Sequence, residues 1–282
     1  MTTLTVNSPD WTDPAVDPRL VICDLDGTLL DGDGRVPAEF WPLLTELQER
    51  GIIFTVASGR QFATLEDMFA AHREGMVFIA ENGTYVVRDG EELSSSSLPR
   101  DYSEQLVRSV RALADAGNRL DVVWCSRGGA FVECSDPEFL ASAARFFHSL
   151  HPVEDLLRDA DEALKFSIYD ADGTSESHAE LIAPIAEPCR AIASTPHWID
   201  VMPSEINKGV AVRQLQASLG VRPYQTVIFG DYLNDLEMMG EATMSFAMAN
   251  AHPEVIREAN YLAPTNLEGG VLTVLRQILA AG

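Results

Sequence analysis

The sequence predicts an α/β fold: a doubly wound, parallel sheet whose core is interrupted by an inserted α+β domain. Three observations point there. Short runs that are apolar at every position alternate with helical patterns, as strands buried on both faces do in parallel sheets. The middle of the chain switches to alternating apolar and polar positions, which suits an antiparallel sheet with one exposed face. The 282 residues also exceed the ~100–200 usual for one domain, leaving room for two unequal ones.

Residues 1–18 are rich in Thr, Pro and Asp, with no basic start and no apolar stretch of signal-peptide length, and read as a loose leader. The fully apolar runs Leu20–Cys23, Ile52–Ala57, Met76–Ala80, Thr226–Phe229 and Met244–Met248 are the expected core strands. Helical patterns cover Ala38–Arg50, Gln61–His72, Lys208–Leu219 and Glu268–Ala280, the first and third closed by Gly51 and Gly220. Strand alternating with helix gives βαβ units. Between about Thr84 and Ser194, segments 121–124, 130–134 and 164–169 alternate as strands, with helices near Tyr102–Ala116, Pro137–Leu150 and Glu176–Ala186 expected on the covered face. The predicted organisation is a core of 19–83 plus 203–282 and an inserted domain of 84–202, with Asn82-Gly83 and Met202-Pro203-Ser204 as hinges. The Ser94–Ser97 run reads as a solvated hairpin loop.

Composition narrows the function classes. With 43 Asp plus Glu against 20 Lys plus Arg, the formal charge is −23, which repels a nucleic-acid backbone and removes nucleic acid as a partner. No apolar run approaches the ~18–20 residues of a membrane span. Cys23, Cys125, Cys134 and Cys189 show no CxxC spacing and lie mostly in apolar stretches. They are expected to be buried thiols in a reducing, cytoplasmic compartment, with a Cys125–Cys134 bridge as the alternative. A monomer or small homo-oligomer is expected.

Ligands of open α/β sheets bind beyond the carboxyl ends of the strands. Three such ends hold reactive groups: Asp24-Leu25-Asp26-Gly27-Thr28, Ser58-Gly59-Arg60, and Gly230-Asp231-Tyr232-Leu233-Asn234-Asp235. Residues two apart on an extended segment point the same way, so Asp24 and Asp26 are expected to address one site. Asp24, Asp26, Asp231 and Asp235 would then crowd together, and like charges in a desolvated pocket need a cation. An all-oxygen donor set without His or Cys selects magnesium over zinc. Lys208 opens a helix, where positive charge is disfavoured by ~0.3–1 kcal/mol. A bound phosphate would compensate it and would accept the Ser58 hydroxyl and the amides around Gly59. Magnesium, a lysine and a hydroxyl around one phosphoryl group are the parts of phosphoryl transfer.

Together with Glu81-Asn82-Gly83, these segments resemble the ordered motifs of the haloacid dehalogenase superfamily, specifically its Cof-like phosphatases with a large α/β (type IIB) cap, over nearly the whole chain after Arg19. The resemblance implies a Rossmann-like core with the cap inserted between the second and third motifs. It implies that Asp24 is the nucleophile, that Asp26 is the general acid and base, and that magnesium is held by Asp24, the Asp26 carbonyl and Asp231. It further implies that Ser58, Gly59, Lys208 and Asn234 hold phosphate, with Thr28 and Asp235 supporting. The implied activity is a magnesium-dependent phosphatase acting on small phosphorylated metabolites, with sugar phosphates foremost. Arg60, Asn82, Arg127, Lys165 and Asp200 are candidates for substrate specificity. A sugar phosphomutase and a phosphorylation-driven receiver module are the rival readings. A receiver, though, needs neither an acid beside its acceptor nor a lid.

Other features have simpler readings. Asp31-Gly32-Asp33-Gly34 lacks the further ligands of a calcium loop and reads as a turn. His148 and His151 stand at i, i+3 near a helix end and read as surface or capping residues. Trp41, Trp124 and Trp198 read as packing residues, with Trp124 placed so that it could also face substrate.

Overall fold

The structure, a computed structural model, describes residues 8–13, 16–133, 135–195 and 197–281. In order, the chain begins with β1 (Leu20–Cys23), α1 (Phe40–Glu49), β2 (Ile53–Ala57), α2 (Phe62–Met68), β3 (Val77–Ala80), β4 (Tyr85–Arg88) and β5 (Glu91–Ser95). The middle of the chain supplies α3 (Arg100–Asp115), β6 (Leu120–Ser126), β7 (Gly129–Val132), α4 (Pro137–Ala143), β8 (Leu150–Pro152), α5 (Leu156–Asp159), β9 (Ala163–Asp170), α6 (Ser175–Ala186), β10 (Cys189–Thr195) and β11 (Trp198–Pro203). The chain closes with α7 (Lys208–Leu219), β12 (Thr226–Gly230), α8 (Leu236–Met239), β13 (Met244–Met248), α9 (Pro253–Glu258), β14 (Tyr261–Ala263) and α10 (Gly270–Ala281).

Two compact units result. The first takes the residues up to Gly59, Met68–Leu93 and the chain from Asn207 onward; the second takes Arg60–Asp67 and Ser94–Ile206. Among the described residues of the first unit, eight strands lie in the order β14-β13-β12-β1-β2-β3-β4-β5. Pairing is parallel from β14 to β3 and antiparallel between β3 and β4. β1 is central, Leu20 facing both Thr226 and Ile53 in register. β1, β3, β12 and β13 are buried at every position, as the apolar runs require.

The first unit keeps a segment expected in the insertion. β4 and β5 join the core sheet, turning through Asp89 and Gly90 at φ 51° and 81°, the positive values that a two-residue hairpin needs. Ser94–Ser97 is therefore not the hairpin loop; Ser94 and Ser95 end β5, where the chain passes into the second unit. Asn82 and Gly83 are buried in the turn from β3 to β4 instead of forming a hinge, and the later crossing falls after Ile206 instead of at Met202-Pro203-Ser204. Part of the supposed loose leader is anchored. The Ser8 hydroxyl and the Trp11 indole N–H both donate to Gln277 Oε1, at 2.9 and 3.1 Å, and Trp11 stacks on Phe246.

In the second unit the sheet order is β10-β11-β9-β6-β7-β8, antiparallel except for the β7–β8 pair. Both faces are covered, not one. Trp124, Phe166, Ile168 and Val201 pack with Leu106 and Val110 of α3 and Ile182 of α6, while Val123, Cys125, Tyr169 and Trp198 pack with Phe139 and Ala143 of α4. β9 is buried throughout as a result. Trp124 lies inside this core, edge-on to Phe166 with the Arg100 guanidinium over its ring, and is a packing residue. The helix expected over Pro137–Leu150 stops at Ala143, and the chain returns as β8, so His148 and His151 do not share a helix. His148 faces Asp67 and His151 contacts the Ser149 hydroxyl. Asp31 closes its turn by accepting the amides of Asp33 and Arg35. Cys23 and Cys189 are free thiols, Cys125 is buried, and the Cys125–Cys134 pairing lies outside the described residues. No helix among the described residues is long and apolar enough to cross a membrane.

Candidate active site

The site grows from the carboxyl end of the central strand. Asp24 follows β1 directly and is held there by its amide, which donates to Phe229 O at 3.0 Å. The chain then winds into a tight turn, Leu25–Leu29, closed by the Leu30 amide on Leu25 O at 2.9 Å. Asp24 is buried and Asp26 is exposed, while the charge of Asp26 still bears on the Asp231 carboxyl. Among the described residues the close acidic cluster is accordingly Asp24, Asp231 and Asp235, with one oxygen from each within 4.8 Å of the others, and Asp26 is outside it.

Gly27 makes the turn feasible. Its φ is +81°, and a Cβ there would stand 2.2 Å from Asp231 Oδ2. Gly27→Ala is expected to lower stability by about 2 kcal/mol or more through strain and displacement of Asp231, measured by urea denaturation; an unchanged midpoint would show that the turn relaxes freely. Thr28 secures the other side, its hydroxyl donating to Asp231 Oδ1 at 2.8 Å.

Lys208 sits at the first position of α7, after Asn207 caps the helix by accepting the Val210 amide at 2.8 Å. Its fully buried ammonium lies 2.5 Å from Asp24 Oδ1 and 2.6 Å from Asp235 Oδ1. Two carboxylates of the chain itself thus compensate this cation at a helix start. Asp235 also works in the other direction, Oδ2 accepting the amides of Asp231 and Tyr232 at 2.9 and 3.1 Å.

The electrostatics follow from burial. Burial and then the charge of Asp235 push the Asp24 carboxyl well above the usual range, against the pull of Lys208. Burial and Asp235 also push Asp231 up to about 6, with Thr28 and Lys208 opposing. Burial alone would discharge Lys208, but Asp235 and Asp24 outweigh it and hold the ammonium above its ordinary pKa. One lysine does not neutralise three crowded carboxylates, and this all-oxygen set suits a hard divalent cation.

A second cluster adjoins in the same unit. Asn82, at φ 57°, donates its amide to Ser58 O at 3.0 Å and accepts from Asn234 Nδ2 at 3.2 Å. A Cβ on Gly59 would come within 2.9 Å of Asn82 Oδ1, so the glycine permits this approach. Ser58, Gly59, Asn82 and Asn234 are therefore linked. Arg60, Arg127, Lys165 and Asp200 belong to the second unit. There Arg127 bonds Glu162 and Ser95, and Lys165 faces Asp200 at 3.5 Å while Asp200 accepts the Ser167 hydroxyl at 2.6 Å. The capping role of Asn207 and its packing against Gly83, where a Cβ would meet Asn207 O at 2.6 Å, add to the residues expected from the sequence. An asparagine just before a helical run is a legible cap signal, whereas nothing local marks the Gly83 contact.

The family model described as haloacid dehalogenase-like hydrolase matches residues 21–275. A 5-amino-6-(5-phospho-D-ribitylamino)uracil phosphatase of Escherichia coli, YbjI, is 28% identical over 93% of this chain and 96% of its own length. An HMP-PP phosphatase of Escherichia fergusonii is 29% identical over 86% of this chain and 89% of its own. The crystal structure of SMU.1108c from Streptococcus mutans superposes with a TM-score of 0.82 at 26% identity, covering 94% of this chain and all of that one.

Proposed function

Since the chain belongs to the haloacid dehalogenase-like hydrolases and is a phosphatase of that superfamily, we propose that it hydrolyses phosphomonoesters of small metabolites, sugar phosphates foremost, through an aspartyl-phosphate on Asp24. The observation that carries this reading is the buried Lys208 ammonium bonded to both Asp24 and Asp235 beside Asp231. Magnesium would be held by Asp24, Asp231 and the Asp26 carbonyl. When bound, it supplies positive charge that offsets the crowded carboxylates and the incoming phosphoryl oxygens.

In the first half-reaction an Asp24 oxygen forms a bond to phosphorus as the ester P–O bond breaks, and the departing alkoxide takes the proton of the Asp26 carboxyl. In the second, water attacks the aspartyl-phosphate, Asp26 takes back a proton, and inorganic phosphate leaves with Asp24 restored. Lys208, Ser58, Gly59 and Asn234 would hold the phosphoryl oxygens. The names of the curated relatives, one a phosphatase of a phosphoribityl compound, support a phosphorylated polyol or sugar as substrate. Arg60, Asn82, Arg127, Lys165 and Asp200 remain our candidates for choosing among such substrates. The buried free thiol of Cys23 supports a reducing, cytoplasmic location.

The test is phosphate release from a panel of phosphorylated metabolites, with magnesium and after chelation by EDTA. Turnover is expected only with the metal, falling by about a hundredfold or more on chelation and returning on readdition. Release unaffected by EDTA would refute the metal, and no release from any ester would refute the activity.

A further inference from the structure

We propose that Asn250 and Asn266 are positioning residues that grip the turn after Asp24 and so fix the direction of Asp26; the assignment rests on the phosphatase reading above. Asn250 Nδ2 donates to Gly27 O at 2.8 Å, and Asn250 Oδ1 accepts the Asn266 amide at 3.1 Å. Asn266 Nδ2 in turn donates to Leu30 O at 2.8 Å. Two carbonyls of one turn are thereby held from a single bracket, built from the segment after β13 and the short helical turn Asn266–Glu268 before α10.

That bracket is itself braced. The Glu268 amide donates to Thr265 Oγ1, and the Thr265 amide and hydroxyl donate back to Glu268 Oε2 at 3.1 and 2.8 Å. The Ala249 amide donates to Ala263 O at 3.0 Å, joining the two halves of the bracket. Across the turn, Thr28 holds Asp231, so the segment is fixed from both sides. Asp26 lies between Asp24 and the gripped Gly27 carbonyl and is exposed, so a shift of the turn's backbone redirects its carboxyl. Hydrogen bonds at a half-exposed surface add little to global stability. Displacement of a proton donor by about 1 Å, in contrast, costs up to about a hundredfold in rate. Asn250 must both donate and accept, which a carboxylate of the same shape cannot do.

The experiment uses the full chain with Asn250→Ala, Asn250→Asp and Asn266→Ala. It measures turnover of p-nitrophenyl phosphate and of phenyl phosphate, whose leaving group is more basic, alongside hydrogen exchange of the peptide spanning Asp24–Leu30. All three variants are expected to keep KM within about twofold and Tm within about 3 °C. Their kcat is expected to fall about 10- to 100-fold, more for phenyl phosphate than for the activated ester, with faster exchange confined to the turn. Asn250→Asp, isosteric with the native residue, decides the matter if an alanine variant does not fold. Unchanged kcat, equal losses on both esters, or unchanged exchange would overturn the proposal. A wild-type protein without turnover would instead refute the phosphatase reading, and the exchange measurement would still decide whether the bracket holds the turn.

Discussion

Asp24→Asn is expected to reduce phosphate release by at least about ten-thousandfold, the scale seen when a covalent nucleophile is removed. An amide does not attack phosphorus, and no other carboxylate in the cluster stands at the end of the central strand. The substitution should not unfold the protein. Asn Oδ1 can still accept from Lys208, and burial already opposes the charge of Asp24, so neutralising it removes a penalty. Thermal denaturation is therefore expected at the wild-type temperature or above it. Retained turnover in a correctly folded variant would show that another group bears the phosphoryl transfer.

Lys208→Met is expected to fail in the opposite manner, losing both activity and stability. The ammonium is fully buried between Asp24 and Asp235, and removing one partner of such a pair leaves uncompensated charge at a cost of about 3–5 kcal/mol. Urea denaturation after chelation isolates the effect, because a bound divalent ion would mask part of it. A loss below about 1 kcal/mol would mean that the carboxylates neutralise themselves by taking up protons. The contrast between the two variants is diagnostic: one neutralises a surplus anion, the other deletes the counter-charge on which the surplus depends.

Much of this site was legible because its parts are short, ordered segments that begin where apolar runs end. Asp24, Lys208, Asp231 and Asp235 fall at such junctions, and the structure bonds Lys208 to Asp24 and Asp235 and brings the three carboxylates into one cluster. The difference in burial between Asp24 and Asp26 was not legible, since no local pattern tells which of two neighbouring carboxyls the rest of the fold will cover. The border of the second unit was misread for a similar reason. Tyr85–Arg88 is too short for its pattern to tell a core edge strand from the first strand of an insertion, and only pairing with β3 decides. The run after Ala143 has helical spacing, yet the chain returns as the edge strand β8, a tertiary pairing that outweighs local propensity. The bracket of Asn250 and Asn266 rests on contacts with residues more than two hundred positions away, which no local pattern encodes.

Asp235 divides its labour between two oxygens, one for an ammonium and one for a pair of backbone amides. An asparagine there would satisfy one side and turn its N–H₂ toward donors on the other, so no neutral isostere fits. A glutamate would have to place a longer arm in the same space, where a Cβ on Gly230 would already stand 2.8 Å from the Asp235 side chain. The position thus admits almost no drift, and a lineage that lost this one carboxylate would lose the lysine's anchorage and the shape of the neighbouring loop in a single step.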